Sequence, residues 1–131
     1  MNALKQRRRR IPAGRNASTQ HGKGLPPIAA PTLLHYEMTN ALYQYQRCGF
    51  LSAETVRLAQ DAALALPLTF YGDVDLHRSA VRLAQRLALS ATFDAYYLVV
   101  AERLGAELWT ADRRLFRAAK DEVPWVRLVT P

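Results

Sequence analysis

The sequence predicts an α/β domain of three layers, with a short, mostly parallel sheet flanked by helices. Three observations carry this. Short apolar runs at 68–71, 107–110 and 126–129 alternate with segments of helical periodicity, the pattern of β–α units. The stretch from Leu89 to Phe116, LSATFDAYYLVVAERLGAELWTADRRLF, contains a helix apolar on nearly every side, which a layered fold buries. Its two helix starts each carry an aspartate, Asp94 and Asp112. In open α/β sheets, functional groups gather at the carboxyl ends of strands and at helix N-termini.

The N-terminus is set apart by charge. Lys5, Arg7, Arg8, Arg9, Arg10, Arg15 and Lys23 fall among residues 1–24, which hold no acid. The chain has 18 Lys and Arg against 11 Asp and Glu, so this segment accounts for the net charge of +7. It is also rich in glycine and small polar residues, with too little apolar surface to order itself. Residues 1–25 therefore read as a basic, disordered arm and residues 26–131 as the folded domain. The arm suits electrostatic contact with nucleic acid. A targeting segment and an extension without a role are the other readings. A secretory signal is not among them, because no apolar stretch follows the arginines.

From residue 25 the elements follow in order. Leu25 to Ala30 gives at most a short strand, and Pro31 suits the first turn of a helix. Leu33, Leu34, Glu37, Met38, Ala41, Leu42 and Tyr45 then recur at helical spacing up to Gly49. Ser52 is an N-cap for a second helix, with Val56, Leu58, Ala59, Ala62, Ala63 and Leu66 as its core face and Pro67 as its stop. Leu68 to Tyr71 reads as a strand, and Gly72, Asp73 and Asp75 as a turn and helix start. Leu76, Ala80, Val81, Leu83, Ala84, Leu87 and Ala88 mark the next amphipathic helix. Thr92 caps the central apolar helix and Gly105 ends it in the left-handed conformation. A strand over Glu107–Thr110 precedes the helix opened by Asp112, and Val126–Val129 is a final strand.

Composition excludes several classes. No apolar run is long enough to span a membrane, and the domain is expected in the cytoplasm. The single cysteine, Cys48, rules out an internal disulfide or a cysteine zinc site, and is expected as a small buried apolar residue. HGKG at 21–24 precedes no strand–loop–helix unit, so it is not a phosphate loop. No serine-hydrolase elbow is present.

The chemistry-bearing residues are acids. Glu37 lies one turn from Leu33, Leu34 and Ala41, on the apolar face of its helix. A carboxylate there is costly to bury unless paired, protonated or bound to a metal; alternatively it sits at the edge of the stripe and reaches water. Asn40 is its nearest polar companion. Asp94 and Asp112, each alone, are ordinary helix caps. With Glu37 they form a candidate carboxylate cluster.

APTLLHYEMTNAL (30–42), ATFDAYYLVVAERLGAELWTADRRL (91–115) and the terminal VRLV resemble PIN-domain ribonucleases, in particular VapC-type toxins of toxin–antitoxin pairs. The resemblance covers about residues 26–131. It implies a PIN-like fold with acids clustered at the carboxyl edge of a parallel sheet. It also implies Mg2+ or Mn2+ as cofactor and cleavage of RNA by a metal-activated water. Glu37, Asp94 and Asp112 match three of the family's catalytic, metal-binding acids. Thr110 matches a polar position beside the metal, with Asn40 as further polar support, and Arg113 and Arg114 are placed to bind RNA. Implied partners are an RNA substrate, a cognate antitoxin and a second copy of the chain. The family begins with an apolar strand ending in an aspartate. Here the basic segment stands in its place, so that strand and its ligand are expected to be missing. An inactive PIN-like module that only binds an antitoxin or RNA is the alternative reading.

Overall fold

The computed structural model describes residues 3–6 and 28–130. Its first strand, β1 (Ala3–Gln6), lies inside the segment read from sequence as a basic arm. β2 (Ile28–Pro31) follows, then α1 (Leu33–Arg47), α2 (Ala53–Leu64) and β3 (Leu68–Tyr71). α3 (Val74–Arg86), α4 (Phe93–Leu104), β4 (Ala106–Thr110), α5 (Arg113–Ala119) and β5 (Val126–Leu128) complete the described chain.

One five-stranded sheet of order β3-β2-β1-β4-β5 organises the domain. β2 pairs with β3, and β4 with β5, in parallel. β1 joins the two pairs by running antiparallel to both β2 and β4. The α/β class agrees with the sequence pattern, but the sheet is mixed and not mostly parallel, because the central β1 is antiparallel to both of its neighbours. The expectation of a missing N-terminal strand is corrected: Ala3–Gln6 provides one, at the centre of the sheet. It supplies hydrogen-bond partners that the inner edges of β2 and β4 would otherwise lack. Unlike the family's strand, it runs against its neighbours, and its sequence, ALKQ, holds no acid. The remainder of the expected arm, residues 7–25, falls outside the described residues.

Pro31 belongs to β2 and not to the first turn of α1. Its register partner is Tyr71, whose carbonyl accepts from the Thr32 N–H at 2.8 Å. β1 pairs with β2 only at Ala29 and Ile28, so the missing proline N–H breaks no bond on that side. Beyond Tyr71, Gly72 passes close to this junction. A Cβ added there would lie 2.7 Å from Thr32 Oγ1 and 2.9 Å from Cγ2.

The core lies between the sheet and the α3–α4 pair. In α4, Ala95, Tyr97, Leu98, Val99, Val100 and Ala101 are buried, as its all-round apolar sequence requires. They pack with Leu76, Ala80, Leu83 and Ala84 of α3 and with Ala29 and Leu108 of the sheet. Each large side chain so buried contributes about 1.5–3 kcal/mol. Gly105 ends α4 at φ 57°, the left-handed residue expected there.

The first two helices depart from their sequence reading. Neither α1 nor α2 contains a buried residue. α2 is capped by Ser52, whose hydroxyl accepts from the Thr55 N–H, but its expected core residues Leu58 and Leu66 are each 54% exposed. α2 packs against α1 rather than against the sheet. Its amphipathic face therefore has no layer to cover it among the described residues. Cys48, at the end of α1, is exposed and not the buried residue expected.

Candidate functional site

Because β2 and β4 both run opposite to β1, they point the same way, and α1 and α5 leave from their carboxyl ends. Glu37 stands in the second turn of α1, and Asp112 is the N-cap of α5. Asp94 occupies the first turn of α4. Strand direction and helix starts thus bring all three acids onto elements of the kind where α/β domains place function.

Glu37 meets Tyr97, which lies one turn after Asp94 in α4. The Tyr97 ring is 1% exposed, yet its hydroxyl donates to Glu37 Oε2, joining the middle of α4 to the exposed side of α1. Burial raises the pKa of this hydroxyl strongly, with the Glu37 hydrogen bond and the charges of Glu37 and Asp94 adding to the rise. Glu37 is exposed and paired, not buried on an apolar face. Asp94, one turn before Tyr97, is partly buried.

Asp112 is engaged differently. Its Oδ1 accepts from the N–H groups of Arg114, at 2.7 Å, and Leu115, at 3.2 Å. Those two bonds, Leu115 first, hold its carboxyl below the usual carboxylate range, with the Arg114 charge assisting. Thr110, fully buried at the end of β4, accepts from the Asp112 N–H at 3.0 Å. Thr110 thus fixes the backbone that presents Asp112. Arg113 and Arg114 are exposed in the first turn of α5.

Asn40 is exposed and lines an open groove of about 470 Å³ with His35, Tyr36, Thr39 and Tyr43. His35 packs its ring on Phe70 of β3, with centroids 4.0 Å apart.

Among the described residues, no three His, Cys, Asp or Glu side chains are grouped to hold a metal ion. The donors present are nonetheless of the right kind. Hard divalent cations take oxygen ligands, and magnesium is commonly held by one or two carboxylates, with waters and substrate phosphate completing its shell. Glu37 and Asp94 are oxygen donors of that kind.

Two features have little signature in the sequence. Tyr97 belongs to an apolar helix, and its place one turn after Asp94 is the available signal. Asp73, read as a helix start, also receives both terminal nitrogens of Arg103, at 2.7 and 3.1 Å, tying the start of α3 to the end of α4. Nothing in local periodicity points to that pair.

No known protein family and no curated protein matches this chain. Among the described residues, no helix is long and apolar enough to cross a membrane.

Proposed function

We propose that this chain is a PIN-like, Mg2+- or Mn2+-dependent endoribonuclease of the toxin–antitoxin class. The observation that carries the reading is the Glu37 carboxylate held by the Tyr97 hydroxyl, one helical turn after Asp94, in a stretch whose sequence resembles the VapC-type toxins. Carboxylates brought together on such helix starts would favour a cation between them. Glu37 and Asp94 would hold it, with Asp112 at the start of α5 as the third acid that the resemblance implies. When bound, such a cation lowers the pKa of a coordinated water and neutralises charge developing on the phosphate. Arg113 and Arg114 add positive charge for the RNA backbone. The exposed Tyr36, Phe50, Leu58, Leu64 and Leu66 around α1 and α2 suit a protein partner, in this reading an antitoxin or a second copy of the chain.

A second reading is supported by β1. Its sequence contributes no acid, so a site built on Glu37 and Asp94 is short of one ligand compared with the family. A misplaced or under-charged site lowers a rate by about a hundredfold. The chain would then bind RNA or an antitoxin without efficient cleavage.

One assay separates the two. Single-stranded RNA is incubated with the native chain and with Asp94→Asn, with Mn2+ and with chelator, and melting temperatures are recorded alongside. Slow cleavage that needs Mn2+ and is lost in Asp94→Asn supports the nuclease. RNA binding without Mn2+-dependent cleavage supports the module. Mn2+ should also raise the melting temperature of the native chain, because a ligand bound only by the folded state stabilises it. An equal rise in Asp94→Asn would remove the cation from this site.

A further inference from the structure

We propose that Tyr97 is a positioning residue that fixes the Glu37 carboxylate for cation binding. The inference rests on the function proposed above, and it follows from how weakly α1 is otherwise held.

α1 buries no residue. α2 packs along it, and it meets the core only at its start, where Leu33 and Leu34 pack and His35 lies on Phe70. Glu37 comes next, exposed to solvent. An exposed glutamate has three side-chain torsions and loses their rotamer entropy on being fixed. The Tyr97 hydroxyl is its one hydrogen-bond partner among the described residues, and it reaches Glu37 from a ring with no freedom of its own. Leu98 and Val100 beside Tyr97 are fully buried, so the ring is set by the core. A rigid donor thus selects one carboxylate oxygen and leaves the other for a ligand. Outer partners of this kind orient metal-binding carboxylates, and their loss costs about 10- to 100-fold in metal affinity.

The test uses the full chain as wild type, Tyr97→Phe, Glu37→Ala and the double variant. Phenylalanine fills the same slot and removes only the hydroxyl. In metal-free protein, the Glu37 side-chain carboxyl carbon resonance should move toward that of exposed glutamates in Tyr97→Phe. With Mn2+ alone as probe, the Kd should rise about 10- to 100-fold in Tyr97→Phe. The double variant should bind no more weakly than Glu37→Ala, because the two residues act as one unit. Placing 4-aminophenylalanine at position 97 restores a donor and should recover both signals. Glu37→Ala changes an exposed helix position and folds irrespective of Tyr97. It should shift the Tyr97 hydroxyl proton resonance, and an unmoved resonance overturns the proposal. So does an unchanged carboxyl resonance, or an unchanged Mn2+ affinity, in Tyr97→Phe. If wild type binds no Mn2+ while the carboxyl resonance still moves, the cation-binding reading fails and the fixing of Glu37 by Tyr97 stands.

Discussion

Gly72→Ala should destabilise the domain through one residue, Thr32. Gly72 has no left-handed φ, so alanine can adopt its backbone conformation. In open space the change would stabilise by about 0.4–1 kcal/mol, because it restricts the unfolded chain. The new Cβ, however, would sit 2.7 Å from Thr32 Oγ1, 2.9 Å from Cγ2 and 3.4 Å from Cβ. Both γ atoms are too close, so rotating the threonine does not relieve the clash. The backbone must move instead, at the point where the Thr32 N–H is bonded to Tyr71. Overpacking of this kind costs about 1–3 kcal/mol. The clash therefore outweighs the entropy gain, and the net loss should be about 1–2 kcal/mol. Thr32 makes no side-chain capping bond, so Thr32→Ala alone should change little. In that background both γ atoms are gone, and Gly72→Ala should become neutral or stabilising. Urea unfolding of wild type, both single variants and the double variant gives the coupling directly. The expected coupling is about 1–3 kcal/mol. If Gly72→Ala costs the same with and without the threonine side chain, the close approach does not govern this junction.

Two further outcomes follow from charged groups. Asp112→Asn keeps an N-cap and should leave the melting temperature nearly unchanged, whereas Asp112→Ala should cost about 1 kcal/mol, read by thermal melts; equal losses in both would place the effect in the charge and not in the cap. Arg103 holds the Asp73 carboxyl down at about 2, chiefly through their hydrogen bonds. The unfolded value is about 3.9, so the folded state favours the carboxylate. The stability this contributes is complete above about pH 4 and is lost as pH falls through about 2. Denaturant unfolding between those limits should show a shallower acid loss in Arg103→Gln; an unchanged slope would show that the pair does not couple to folding.

Sequence alone determined whatever depends on neighbours along the chain. The Ser52 cap, the Gly105 stop, the strand at 68–71 and the burial of α4 were all legible, because caps, turns and apolar periodicity act within a few residues. So were Asp94 and Asp112 as residues of helix starts, Asp112 through backbone partners within three residues.

Tertiary structure decided the rest, because each remaining feature joins segments distant in sequence. Ala3–Gln6 became a strand because β2 and β4 present unpaired edges on either side of it, a demand not written in ALKQ itself. Pro31 ended a strand because its outer neighbour was Tyr71. The apolar stripe of α2 stayed exposed because the fold put α1, and no sheet, against it. Helical periodicity specifies that a face exists but not what will cover it. Glu37 likewise read as a carboxylate on an apolar face in need of a partner. Only the packing of α4 against the sheet aimed the Tyr97 hydroxyl at it, across a separation in sequence that no local pattern spans.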